Sequence, residues 1–281
     1  MKLALLGATG LLGSEFKQTL ENLELELFTF DKQALDICSA ESIKTALSAC
    51  GKLDFVINCA AYTDVDACET HRDLAFAVNS MGAQNLGSYC ADNTIALIHF
   101  STDYVFDGEK QWPYIESDSY NPINIYGLSK LEGENAIIHN CPQHYIFRIE
   151  WLYGKSGPNF IDKIINASQN KKELNVVADQ WGSPTYAKEI VRSVIPILEH
   201  SPEYGLYHLA NRGYTTWYHL AEYVLKLQNS DCRVIPISSE EIKRPAKRPH
   251  MSALNISKFL DLDLVTPLKW QEAVKEYLKI T

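Results

Sequence analysis

Tyr126 and Lys130 stand four residues apart in Tyr-Gly-Leu-Ser-Lys, which puts a phenol and an ammonium on one face of a helix. A nearby ammonium favours the phenolate, so Lys130 is expected to lower the pKa of Tyr126 toward the range where it can give or take a proton. Alone the pair means little, because chance supplies roughly one such spacing in a chain of this composition. Thr102 follows the apolar run 95–101, where a strand end would present its hydroxyl at the carboxyl edge of a sheet. There it could bond a substrate carbonyl oxygen, or simply be satisfied by backbone. With the glycine loop and the Tyr/Lys pair in order, the catalytic reading is favoured.

The glycine loop is GATGLLG, residues 7–13, directly behind the apolar run 3–6. Gly7 permits the tight turn, Gly10 lets the backbone approach a pyrophosphate, and Gly13 lets the following helix lie close to the strand. Thr9, Leu11 and Leu12 complete the expected cofactor loop, whose helix N-terminus would receive the phosphates. Asp31 closes the second strand signal and could accept hydrogen bonds from an adenosine ribose, favouring NADH. Lys32 follows and could pair with the 2′-phosphate of NADPH, so both cofactors stay open. The plain alternative for Asp31 is an acid that starts a turn.

The elements needed to hold these groups alternate. Strand signals at 3–6, 23–30, 55–60, 95–101 and 145–151 are separated by helical spacing at 12–20, 43–49, 73–92 and 126–138. The pattern predicts an α/β fold: a Rossmann-type doubly wound parallel sheet with a smaller α/β substrate-binding lobe. The expected division is 1–150 for an NAD(P)-binding domain that also receives part of 180–210, and 151–281 mainly for the substrate lobe, interleaved with the first. In the second part, helices are expected at 159–167, 189–198, 216–227 (capped by Thr215) and 270–279.

The chain has 281 residues, 46% hydrophobic and 22% charged, as in ordinary globular proteins. A net charge of −9 argues against nucleic acid or an anionic membrane as partner. No apolar stretch reaches the ~20 residues of a bilayer span, and Met1-Lys2 leads straight into a strand, so neither anchor nor signal peptide is expected. Seven scattered cysteines without a C-x-x-C pair read as reduced thiols of a cytoplasmic protein, and no metal site is expected.

NCAAYTDVDACE (58–69), STDYVF (101–106), NPINIYGLSKLEGE (121–134), FRIEWLYG (147–154), DQWGSPT (179–185) and GLYHLANRGYTTW (205–217) are spread over most of the chain. With the glycine loop and the Thr…Tyr-x-x-x-Lys order, they resemble the extended short-chain dehydrogenases and, more narrowly, the dTDP-4-dehydrorhamnose reductase family. The resemblance implies NAD(P)H-dependent reduction of the 4-keto group of a dTDP-linked 6-deoxysugar, dTDP-4-dehydro-L-rhamnose to dTDP-L-rhamnose, for surface polysaccharide biosynthesis. It implies that Tyr126 protonates the nascent alkoxide, Lys130 holds the nicotinamide ribose and Thr102 orients the keto oxygen. Ala60, Ala61, Tyr62 and Asn79 would line the cofactor groove, with Asp36 and Ile37 near adenine. Val65, Asp103, Tyr104 and Trp151 would line the sugar–nucleotide side.

The chain departs from the family pattern at three positions. Glu150 stands where a small hydroxyl residue is common, Ala67 where a lysine is frequent, and Ala253 where an arginine often follows the Arg-Pro segment. The cations left for a diphosphate are Lys247, Arg248 and Arg212, and a solvated surface role is nearly as good a reading of Arg248. A monomer or homodimer is expected. Some members form magnesium-bridged dimers through glutamates; here Glu15 matches one, but Lys188 stands at the other, with Glu189 beside it. The two glutamates are therefore read as solvated helix acids, and oligomerisation as independent of metal. Two alternatives remain: an epimerase or dehydratase, against which Asp103-Tyr104 lacks the Asp-Glu pair, and a non-catalytic NADP-binding regulatory subunit like that of methionine adenosyltransferase.

Overall fold

The computed structural model describes residues 1–280. Five strands open the chain: β1 (Lys2–Leu6), β2 (Glu26–Phe30), β3 (Phe55–Asn58), β4 (Ala96–Thr102) and β5 (His144–Ile149). They are followed by β6 (Leu152–Tyr153), β7 (Glu173–Val177), β8 (Trp181–Gly182), β9 (Thr185–Tyr186), β10 (Gly205–His208), β11 (Thr215–Thr216) and β12 (Arg233–Ile237). One parallel sheet runs β10-β5-β4-β3-β1-β2. Strands buried on both faces read as near-continuous apolar runs, as LALL and ALIHFST do here.

Helices cover both faces. On one, α1 (Leu11–Leu20) and α8 (Ala187–His200) pack Phe16, Leu20, Ile190 and Val194 against Leu3, Leu5, Ile57 and Phe100. On the other, α2 (Ala40–Ser48), α5 (Gly82–Asp92) and α6 (Ile125–Asn140) pack Ile43, Leu86 and Ile137 against Ala4, Val56 and Leu97. The alternation along each strand splits its side chains between two cores, as a doubly wound sheet requires. Short helices α3 (Val65–Thr70) and α4 (Arg72–Phe76) precede α5. Smaller cores gather around α7 (Phe160–Ser168), α9 (Trp217–Leu227) and α11 (Trp270–Leu278), with β12 pairing parallel to β7; α10 (Ser257–Leu260) returns Phe259 to the first core.

Several boundaries differ from the sequence expectation for identifiable reasons. β2 is the edge strand, and its pairing begins only at Lys2↔Glu26, so Leu23–Leu25 form a turn and Leu23 is exposed. The helix expected over 73–92 carries a π-helical turn, Ala77–Met81, which turns Asn79 into the interior. The cap of α9 is Thr216, whose Oγ1 accepts from His219 N at 3.1 Å, whereas Thr215 pairs with Gly182 in the β11–β8 ladder. The sixth main-sheet strand, β10, lies within GLYHLA, which gave no strand signal because it is a four-residue edge strand.

Behind the sheet's carboxyl edge, Arg148 on β5 is fully buried. Its Nε donates to Glu134 Oε1 at 2.9 Å and its Nη2 to Oε2 at 2.6 Å. Nη1 lies 3.4 Å from His208 Nε2, and His208 Nδ1 faces the Tyr114 carbonyl at 3.0 Å. Burial, then the guanidinium, push His208 down to about 3, so the ring is neutral. Glu134→Gln leaves Arg148 buried with half its partner. The expected loss is about 3–5 kcal/mol of stability in urea unfolding, and a loss under 1 kcal/mol would contradict this assignment.

Candidate active site

The carboxyl ends of β1, β3 and β4 meet at one edge. Gly7, at φ +70°, has Ala60 N so close that a Cβ would stand 2.7 Å from it, and a Cβ on Gly13 would stand 2.1 Å from Gly7 O. Only glycine fits at either position. α1 starts at Gly10 with no side-chain cap and no acid in its first turn, so its positive end is open to an anion. The cradle therefore fits the pyrophosphate of a dinucleotide. Thr9 and Gly10 are exposed on it; Leu12 belongs to the core, and the Leu11 side chain packs toward Gly154, so these two offer the loop only backbone.

Asp31 is exposed at the end of the neighbouring β2 beside exposed Lys32. Its Oδ1 accepts from Gln33 N and Ala34 N, both at 2.9 Å, so one oxygen starts a turn, and Oδ2 makes no bond among the described residues. Asp36 similarly turns the backbone at Cys38, and buried Ile37 packs onto Gly82. Ala60 and Ala61 are half-buried beside Gly7. Asn79 spends its amide on structure: Oδ1 accepts from Tyr62 N at 2.8 Å, and Nδ2 donates to Tyr62 O and Ser129 Oγ, both at 3.0 Å. It clamps the turn after β3 onto α6.

Thr102 ends β4 and caps a 3₁₀ turn, Asp103–Val105. Its Oγ1 accepts from Tyr104 N at 3.2 Å and donates to Asp103 Oδ1 at 2.9 Å. α6 begins at Asn124, which accepts from Gly127 N at 2.8 Å, and sets Tyr126 edge-on to Tyr104 with ring centroids 6.0 Å apart. A Cβ on Gly127 would stand 2.0 Å from Tyr104 O and one on Gly133 2.1 Å from Asn79 O, so the helix lies in close contact with both turns.

The expected effect of Lys130 on Tyr126 differs from the structure. Lys130 Nζ is buried and donates to Phe100 O at 2.6 Å, with His99 Nε2 at 3.2 Å. Burial pushes the lysine down to about 8. The Tyr126 phenol is pushed up, by burial first and by Asp103 second, with the Thr102 hydroxyl opposing. Desolvation outweighs the ammonium because the ammonium points into the sheet.

Trp151 follows Glu150 after β5 in the left-handed region at φ 44° and lies flat on Trp217, centroids 3.5 Å apart. A Cβ on Gly182 would stand 2.3 Å from its indole. Trp151, Trp217, Tyr104 and Phe160 line a cavity of about 450 Å³ that also receives Lys163, Arg244 and Arg248. Val65 is half-buried at the start of α3. Arg248 is anchored to Asp66 at 2.5 and 2.8 Å, and Arg212 is tied to Pro267 O at 2.8 Å. Arg244 and Lys163 were missed from sequence, since nothing in their neighbourhood marks them apart from other surface cations. Ala253 is fully buried against Phe106, in a core where an arginine would have no room. Glu15 and Glu189 are buried, not solvated: Glu189 Oε2 accepts from Leu268 N at 2.7 Å, and Lys188 pairs with Glu276 at 2.6 Å.

The model of the family described as RmlD substrate binding domain matches residues 1–281. The spore coat polysaccharide biosynthesis protein SpsK of Bacillus subtilis (strain 168) is 34% identical, covering 99% of this chain and 97% of its own. The dTDP-4-dehydrorhamnose reductase of Escherichia coli (strain K12) is 33% identical, with 99% and 97% covered. The crystal structure of dTDP-4-dehydrorhamnose reductase from Bacillus anthracis str. Ames in complex with NADP superposes with a TM-score of 0.95 at 34% identity, over 99% of both chains.

Gly13→Ala is expected to lose about 1–3 kcal/mol of stability, because a backbone oxygen occupies the Cβ position. An unchanged urea midpoint would show that the loop yields freely.

Proposed function

The chain belongs to the RmlD substrate binding domain family, and on that premise we propose that it is an NAD(P)H-dependent oxidoreductase reducing the 4-keto group of a dTDP-linked 6-deoxysugar. dTDP-4-dehydro-L-rhamnose, yielding dTDP-L-rhamnose, is the favoured substrate. The observation that carries the reading is the meeting of Thr102, Tyr126 and the Trp151 cavity at one sheet edge, next to a glycine cradle shaped for a pyrophosphate. Relatives across the full chain length carry the reductase name, and one was crystallised with NADP.

When bound, the nicotinamide supplies the hydride. The N-terminus of α1 would hold the diphosphate bridge through the backbone of Gly10, Leu11 and Leu12. Thr102 directs its hydroxyl to the keto oxygen. Tyr126, half-buried with its phenol desolvated and therefore protonated at neutral pH, delivers its proton to the alkoxide as charge develops there. Lys130, whose pKa burial brings to about 8, would support the nicotinamide ribose. On the other side Trp151, Tyr104, Asp103 and Val65 enclose the sugar, and Arg244 and Arg248 face its diphosphate. Asp66 offsets part of the charge of Arg248 until a diphosphate arrives. On this reading residues 1–150 form the cofactor domain and residues 151–281 mainly the substrate lobe, interleaved with it. No helix among the described residues is long and apolar enough to cross a membrane.

Purified protein given dTDP-4-keto-6-deoxysugars with NADH or NADPH is expected to consume the reduced cofactor, read by near-ultraviolet absorbance. Tight NADP binding without turnover on any sugar would instead support the regulatory-subunit reading. Tyr126→Phe keeps the ring and removes the proton, and kcat is expected to fall about 10²–10⁴-fold; wild-type turnover in that variant would remove Tyr126 from the reaction. Asp31 suits a ribose hydroxyl and Lys32 a phosphate, so kcat/KM for NADH and NADPH is expected to agree within about a hundredfold, or 2.7 kcal/mol. A larger ratio would show that one of the two dominates.

A further inference from the structure

Arg248 reaches the cavity from a segment whose backbone is pinned on both sides. Ala246 N donates to Asp66 Oδ1 at 3.1 Å, Asn124 Nδ2 to Lys247 O at 2.9 Å, and Trp181 N to His250 O at 2.7 Å. Pro249 is buried against Gly108, where a Cβ would stand 2.4 Å from Pro249 Cβ. The side chain is held as closely as the backbone. Nη1 donates to Asp66 Oδ1 at 2.5 Å and to Ala246 O at 2.6 Å, and Nη2 donates to Asp66 Oδ2 at 2.8 Å. Only 10% of the Arg248 side chain is exposed.

A guanidinium carries five N–H donors in one plane. Asp66 takes the two at the tip, one from each terminal nitrogen, and Ala246 O takes the second hydrogen of Nη1. The two left are Nε–H and the second hydrogen of Nη2. They leave the same edge of the guanidinium side by side, the fork that matches two oxygens of one phosphate. Among the described residues nothing accepts from either, and Arg248 forms part of the wall of the cavity lined by Tyr104 and Trp151.

We propose that Asp66 is a positioning residue that holds the tip of Arg248, so that the free Nε/Nη2 edge meets the diphosphate of the nucleotide sugar. The proposal rests on the substrate class set out above.

A carboxylate beside an anion-binding cation weakens the local positive field, so its presence calls for a compensating gain. That gain is order. A loose arginine loses rotamer freedom when its ligand arrives, whereas Arg248 has already lost it in the fold. The pairing also makes the contact directional, because one fork of parallel donors remains and everything else is taken. Asp66 is ionised for this role, since the hydrogen bond from Arg248 holds its carboxyl below the usual range. Arg244 lines the same cavity from an exposed position and supplies charge without a fixed direction. Alanine at positions 67 and 253 leaves this chain without the lysine and arginine common in the family there, so it depends more on how Arg248 is held.

The first test is dTDP binding by calorimetry, with NADP saturating so that the cofactor cradle is filled, and with thymidine as the ligand that lacks phosphates. Arg248→Lys keeps the charge and removes the fork, and its Kd for dTDP is expected to rise about 10- to 100-fold. Asp66→Asn keeps the shape and loosens the tip, and its Kd for dTDP is expected to rise about tenfold. Thymidine binding is expected to stay unchanged in both. Because Asp66 acts through Arg248, Asp66→Asn/Arg248→Lys is expected to bind dTDP no more weakly than Arg248→Lys alone. An Asp66→Asn chain that binds dTDP as tightly as wild type shows that the carboxylate only competes with the ligand. Equal loss of thymidine shows that Asp66 only supports the fold, and a further loss in the double variant shows that the two residues act separately. Each of these results overturns the proposal. Should the Asp66 variants fail to fold, NMR of the wild-type chain decides. The Arg248 Nε–H resonance, assigned by its loss in Arg248→Lys, is expected to move downfield when dTDP is added. A resonance that stays in place overturns the proposal even where the chain reduces dTDP-keto sugars. A chain that gives these responses to dTDP but reduces no keto sugar counts against the reduction and leaves the proposal standing.

Discussion

The buried ion pair between Arg148 and Glu134 fixes α6 against the sheet, and the site depends on where α6 lies. A guanidinium out of water is tolerable only with its partner in bidentate geometry, so β5 and α6 cannot slide past one another without exposing it to a large penalty. Gly127 and Gly133 set how near the helix can come, since backbone oxygens of Tyr104 and Asn79 fill the places of their missing side chains. The result is a phenol held beside the end of β4 and an ammonium driven into the sheet. Neither is left to find its position when ligands arrive, which is the preorganisation that charge stabilisation requires.

The same burial that positions these groups governs their protonation. Tyr126, Lys130, Asp103 and Glu150 all shift toward their neutral forms, with desolvation as the leading cause in each. The proton donor proposed at Tyr126 must be protonated at working pH, and desolvation achieves this without help from Lys130.

Much of this was legible in the sequence. The short apolar runs alternating with helical spacing, the glycine turn and the order of Thr102, Tyr126 and Lys130 point to a doubly wound sheet with a candidate site at its carboxyl edge, because those features are local. What could not be read depends on contacts distant in the chain. Asn79 resembles a ligand residue until the π-helical turn directs it onto Tyr62. Glu189 looks like a surface acid until Leu268, 79 residues away, donates to it. Glu150 stands out as a charge in the wrong place, and only the segments carrying Ser183 and Leu254 show what compensates it. The direction of the Tyr126 shift was missed for the same reason: spacing shows that Lys130 shares its helix face, and the depth of the sheet decides where the ammonium points.

The central claim is that hydride reaches the carbonyl carbon of a nucleotide-bound sugar at the edge where Thr102 and Tyr126 meet. The most direct measurement follows a label: reduced cofactor carrying deuterium at the transferable nicotinamide position is incubated with the protein and dTDP-4-dehydro-L-rhamnose, and the product is read by NMR. The account predicts deuterium bonded to C4 of the sugar in a single configuration. Deuterium at any other carbon, at C4 in both configurations, or retained entirely in the cofactor would contradict it.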